Sequence, residues 1–125
     1  MREILFRGKD PVSGEWYYGY YVKRNDGDRG SLILEDYYLE SYEIVKQETV
    51  GQYTGVKDKR GVKIFEDDIV KVYDVYCNET VVGVVEFCDG SFRICDTDFT
   101  SYYRWMDYEV EVIGNIYDNP ELMNG

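Results

Sequence analysis

The chain of 125 residues contains no histidine. That absence removes the base of a Ser-His-Asp triad, the partner of a Cys-His nucleophile, the HExxH zinc helix and imidazole acid/base chemistry generally. Long apolar runs are missing as well. None approaches the ~18 residues needed to span a bilayer, and the opening segment turns polar at Arg7, without the apolar core of a signal peptide. The expected partners therefore exclude a membrane, and the expected location is the cytoplasm. Cysteine is sparse: Cys77, Cys88 and Cys95 are odd in number, and their spacing fits neither CxxC nor a disulfide framework. Reduced, packed thiols are the economical reading, ahead of a Cys88–Cys95 bridge or a nucleophilic role.

Positive charge is scarce in one half only. Residues 1–63 hold eleven basic and eleven acidic side chains, which cancel. Residues 64–125 hold three basic side chains (Lys71, Arg93, Arg104) against fourteen carboxylates, and so carry the entire net charge of −11. A basic cluster, Lys57, Lys59, Arg60 and Lys63, lies just before the switch. Such asymmetry points to an interaction surface, although acidic side chains lining the solvent face of strands explain it equally simply.

What is present in abundance is aromatic: 17% of residues, including 14 Tyr, within 44% hydrophobic and 31% charged overall. That composition belongs to a soluble globular chain of one domain, able to bury a core without disulfides or metal. Period-2 patterning dominates. Segment 15–23 reads as a strand with Trp16, Tyr18, Tyr20 and Val22 on one face and Tyr17, Tyr21 and Lys23 on the other. A turn at 10–14 joins it to a strand beginning at Ile4, and 25–28 is a further turn before a strand at 31–34. Strands follow at 68–75 and at 80–87, where Gly83 marks a bulge or close approach. A tight turn at 89–91 leads into a strand at 92–95, and a last strand runs over 108–117 with Val110 and Val112 inward and Glu109 and Glu111 outward. Helical turns are expected at 35–42 and 97–106. The prediction is a mainly β fold: an aromatic-rich antiparallel subdomain over 1–55 and an acidic, small SH3-like or OB-like barrel over 56–125, forming one compact unit. Repeats, low-complexity tracts and linkers are absent.

Several strings, taken together, resemble the YopX family of phage and prophage proteins. They are 2–9 (REILFRGK) with 14–19 (GEWYYG), 48–55 (ETVGQYTG) continuing to 64–70 (IFEDDIV), 83–87 (GVVEF), and 112–122 (VIGNIYDNPEL). The resemblance runs nearly end to end and in order. It implies a mostly β protein of phages and prophages of low-GC Gram-positive bacteria, without an established activity, whose recurrent glycines and aromatics look more like a folding signature than a catalytic one. One departure is Asp67, where the family pattern leads us to expect glycine. Aspartate tolerates a left-handed turn, so the turn itself should survive.

Candidate chemistry is thin. Glu66 and Asp68 could share a metal ion, since alternate residues of an extended chain point the same way, but a turn entering a strand explains them as well. Asp96-Thr97-Asp98 lacks the glycine and distal glutamate of a calcium loop. Gln52, Tyr53 and Thr54 could form a ligand or peptide edge, the alternative being a strand-to-turn transition. Tyr17 and Tyr21 could stack bases or pack at an interface, but a net charge of −11 opposes nucleic-acid binding. The reading is a non-catalytic accessory protein without cofactor that contacts a host or phage protein, with a homo-oligomer as a further expectation. A DNA mimic presenting the C-terminal carboxylates is the alternative, and a metal-dependent enzyme using Glu66 and Asp68 the third.

Overall fold

The computed structural model describes residues 3–23, 31–35, 42–74, 78–96, 102–103 and 109–124. The chain divides into two compact units, Met1–Tyr53 and Thr54–Gly125. Both are antiparallel β structures, so the mainly β expectation is met.

The first unit contains β1 (Phe6–Lys9), β2 (Trp16–Lys23), β3 (Ser31–Leu34) and β4 (Tyr42–Ile44), ordered β4-β3-β2-β1. The first residues of β5 (Gly51–Lys57) add to the outer side of β1, with Gln52 opposite Phe6. The β1–β2 turn forms as expected, because the Asp10 carboxylate accepts the amides of Val12 (2.8 Å) and Ser13 (3.1 Å) and fixes the turn locally. Strand β2 divides its pairing: Trp16 to Gly19 face β1, and Tyr20 to Lys23 face β3. Gly19 is the corner, and a Cβ there would overlap the Leu34 carbonyl oxygen. Past β4, the Lys46 amide returns to the Lys9 carbonyl at 2.9 Å, curling the sheet around Ile33 and Val45, both fully buried.

The second unit is built on β6 (Lys63–Phe65), β7 (Asp68–Asp74), β8 (Glu79–Cys88), β9 (Ser91–Asp96), β10 (Tyr102–Tyr103) and β11 (Glu109–Asn115). Five of these form a sheet in the order β10-β9-β8-β7-β11. Its core is Ile64, Val70, Val72, Val85, Ile94 and Val110, with Val56 and Val112 packed against it. Val110 and Val112 are the positions that the alternation of the last strand places inward. The β8–β9 turn has Asp89 at φ 52° and Gly90 at φ 82°, the double left-handed geometry that suits an Asp-Gly hairpin. Gly83 serves close approach, not a bulge: its pairing is continuous, and a Cβ would stand 2.7 Å from the Cys95 oxygen. The bulge falls instead in β11, between Val112 and Gly114.

Of the helical turns expected at 35–42 and 97–106, residues 36–41, 97–101 and 104–106 lie outside the described residues, and the described positions Tyr42 and Tyr102–Tyr103 are strand, not helix. Tyr42 begins β4, and Tyr102–Tyr103 form β10 against Cys95 and Ile94. At these positions, aromatic residues with a strand to pair on take extended structure. Short 3-10 turns occur at Gln47–Thr49 and Pro120–Asn124 instead. The 25–28 turn, Cys77 and the calcium-like residues 97–98 lie outside the described residues.

Candidate interaction surface

In the first unit, side chains two apart on a strand share a face, and directly paired residues do likewise. Tyr18 and Tyr20 therefore lie on one face of β2. Tyr20 stands opposite Leu34, which stands opposite Tyr42, and Leu32 stands opposite Ile44. The result is a patch of Tyr18, Tyr20, Tyr42 and Ile44, between 42% and 53% exposed, around the buried Leu32 and Leu34. At the β1 side Arg7, itself buried, places its guanidinium carbon 4.6 Å above the Trp16 ring, and Lys9 Nζ lies 5.9 Å from the same ring. Cation–π contact holds Trp16 at the border of the patch.

Tyr17 and Tyr21 face the other way. Tyr17 donates to Asp10 Oδ2 at 3.2 Å and to Glu15 Oε2 at 3.4 Å. Burial, the Glu43 charge and the Asp10 hydrogen bond push its phenol above the ordinary value, whereas the amides of Val12 and Ser13 hold Asp10 below its own. Tyr21 packs against Phe6, with ring centroids 5.7 Å apart, and Gln52 is the residue opposite Phe6. The structure thus brings Tyr17, Tyr21 and Gln52 to one face of the first unit. Tyr53, next along β5, is buried, its amide bonded to the Leu5 carbonyl. Thr54 opens the second unit, where its hydroxyl donates to the Ile64 carbonyl at 2.8 Å and accepts the Val56 amide at 3.1 Å.

In the second unit, Asp68 is 2% exposed and accepts the Phe65 amide at 2.8 Å, closing the turn between β6 and β7. Asp67, at φ 69°, occupies the left-handed position expected of the family glycine. Its carbonyl accepts the Ile116 amide, and its carboxylate accepts the Tyr117 hydroxyl at 2.7 Å. Among the described residues, no group of three His, Cys, Asp or Glu side chains is arranged to hold a metal ion. Cys95 is buried and donates its thiol to Glu86 Oε2 at 3.4 Å.

The basic cluster proves to be a clasp. Asp58, its side chain fully buried, accepts the amides of Arg60 (2.8 Å), Val62 (2.9 Å) and Val112 (3.0 Å). Burial pushes its carboxyl up, but these three N–H groups and the Arg60 charge outweigh it and hold the group below its ordinary value. Glu111 pairs with Lys59 at 3.5 Å and with Arg60 at 3.8 Å. The charge complement of this turn lies on β11, far along the chain, so a reading of local sequence could see the cations but not their partners.

Comparison with known proteins agrees with this fold. The family model described as YopX protein matches residues 5–124. The SPbeta prophage-derived uncharacterized protein YopX of Bacillus subtilis is 37% identical over 73 residues, which cover 53% of this chain and 54% of that protein. The match to this curated relative thus spans about half its length. The crystal structure of protein EF1440 from Enterococcus faecalis aligns over 98% of this chain and 99% of its own, with a TM-score of 0.55 and 26% identity. The crystal structure of yopX from Bacillus subtilis aligns over 94% and 96%, with a TM-score of 0.61 and 24% identity, a likeness of fold.

Proposed function

This chain belongs to the YopX family of phage and prophage proteins, and on that premise we propose that it is a non-catalytic accessory protein acting through protein–protein contact in the host cytoplasm. The observation that carries the reading is the half-exposed patch of Tyr18, Tyr20, Tyr42 and Ile44 on one face of the first unit. Tyrosine suits interfaces because it offers a large apolar surface and a hydroxyl at little cost in side-chain entropy. Leu32 and Leu34 beneath it supply an apolar floor.

The partner is a host or phage protein with a complementary apolar surface, and the contact uses Tyr18 and Tyr20 in place of Tyr17 and Tyr21. Affinity capture from host lysate, run at low and high salt, tests this. Retention should be nearly unchanged by salt and should fall at least about tenfold in the Tyr18→Ser/Tyr20→Ser variant, since central aromatic anchors dominate interfaces. Steep loss of the partner in salt, with displacement by DNA, would instead favour the acidic mimic. That alternative is weakened by the internal engagement of Asp67, Asp68 and Glu111, three of its fourteen carboxylates. Metal-dependent nuclease activity lost in Asp68→Asn would overturn both.

A further inference from the structure

Among the described strands, β11 is paired only with β7, along one side. Along its other side the tip of the β5–β6 hairpin takes the place of a strand. The Lys59 amide donates to the Val110 carbonyl at 3.0 Å, the Val112 amide donates to Asp58 Oδ2 at 3.0 Å, and Arg60 Nη2 donates to the Val112 carbonyl at 2.6 Å. These are the outward groups of alternate residues, which an antiparallel neighbour would bond. Glu111 receives Lys59 and Arg60, while Glu109 is exposed.

The turn also has hydrogen bonds of its own that do not involve β11. Asp58 binds the Arg60 and Val62 amides, and the Asp58 amide donates to the Val62 carbonyl at 2.8 Å. Its attachment to β11 rests on three hydrogen bonds and two ion pairs, and the Lys59 and Arg60 side chains are half-exposed.

We propose that the outer edge of β11 is a strand-addition site for an extended basic segment of a partner protein, held closed here by the chain's own Lys59-Arg60 turn. Charge selects the occupant. A second copy of β11 would bring Glu109 and Glu111 against like carboxylates, whereas a strand alternating Lys or Arg with β-branched residues would repeat the ion pairs that the turn makes. This surface is separate from the aromatic patch of the first unit and does not depend on it.

The test titrates the full chain with a short synthetic peptide alternating Lys with Val and Thr, and with its Glu-for-Lys counterpart, by calorimetry. The Lys59→Ala/Arg60→Ala variant removes the two ion pairs and the Arg60–Val112 hydrogen bond that help fasten the turn to β11, so the turn lifts from the edge more readily, but leaves Asp58 and the turn's own hydrogen bonds in place. It should bind the basic peptide about tenfold more tightly than the wild type, and its Val112 amide should exchange faster before peptide is added. A matched-charge control, Lys23→Ala/Lys57→Ala, should show no such tightening. Adding Glu111→Lys to the opened variant should abolish binding, and the acidic peptide should not bind. Equal affinity for wild type and opened variant, equal tightening in the control, binding of the acidic peptide, or unchanged Val112 exchange would each overturn the proposal.

Discussion

Asp58 sits in a run of cations, yet its carboxylate is committed to the backbone: three amides and one guanidinium converge on it in a buried setting. Asp58→Ala should therefore cost about 3–5 kcal/mol of unfolding free energy in urea titrations, because buried N–H groups lose their acceptor. Its folded carboxyl lies below the ordinary value of 3.8, so folding favours the ionised form. The resulting stability is complete above that value and is lost as pH falls through the depressed one. Asp58→Asn should be less stable near neutrality but flatter in its acid denaturation, and an unchanged acid limb would contradict the assignment. Asp67 shows the opposite degree of legibility. Its left-handed backbone is implied by the family resemblance, whose pattern has glycine at this local turn, whereas the Val112 amide that Asp58 serves lies 54 residues away.

Elements with long alternation or strong turn chemistry were readable in advance. Strands β7, β8 and β9 combine β-branched runs with an Asp-Gly hairpin, so pattern and turn agree. Strands β4 and β10 are three and two residues long. Segments so short are strands only because a neighbour supplies hydrogen bonds, which no local pattern encodes. The corner in β2 lies between these cases: the alternation of its tyrosines is plain, but the division of its pairing at Gly19 is not. Gly19→Ala should destabilise the chain by about 2–3 kcal/mol, since the new methyl would meet backbone and force β2 from β3. Urea unfolding measures it, and a change within about 0.5 kcal/mol, typical of neutral surface sites, would show that the corner can relax.

For the whole molecule, the charge of −11 divides differently once the units are known. The first unit, residues 1–53, holds seven basic and ten acidic side chains; the second, 54–125, holds seven and fifteen. The cations of the 57–63 turn thus belong to the acidic unit, and two of them are paired there. The excess negative charge of the acidic unit is therefore smaller than the sequence halves imply. The sheet order β10-β9-β8-β7-β11 also fixes a history. Strands β7, β8 and β9 meet through short, cheaply closed loops, whereas β11 must wait for the whole meander to be crossed before it finds β7. In pulse-labelled refolding, amides of β8 and β9 should gain protection first and those of β11 last, with simultaneous protection counting against this order. A nascent chain would then spend its final step with the β7 edge unsealed, and that interval is when it is most exposed to mispairing with its neighbours.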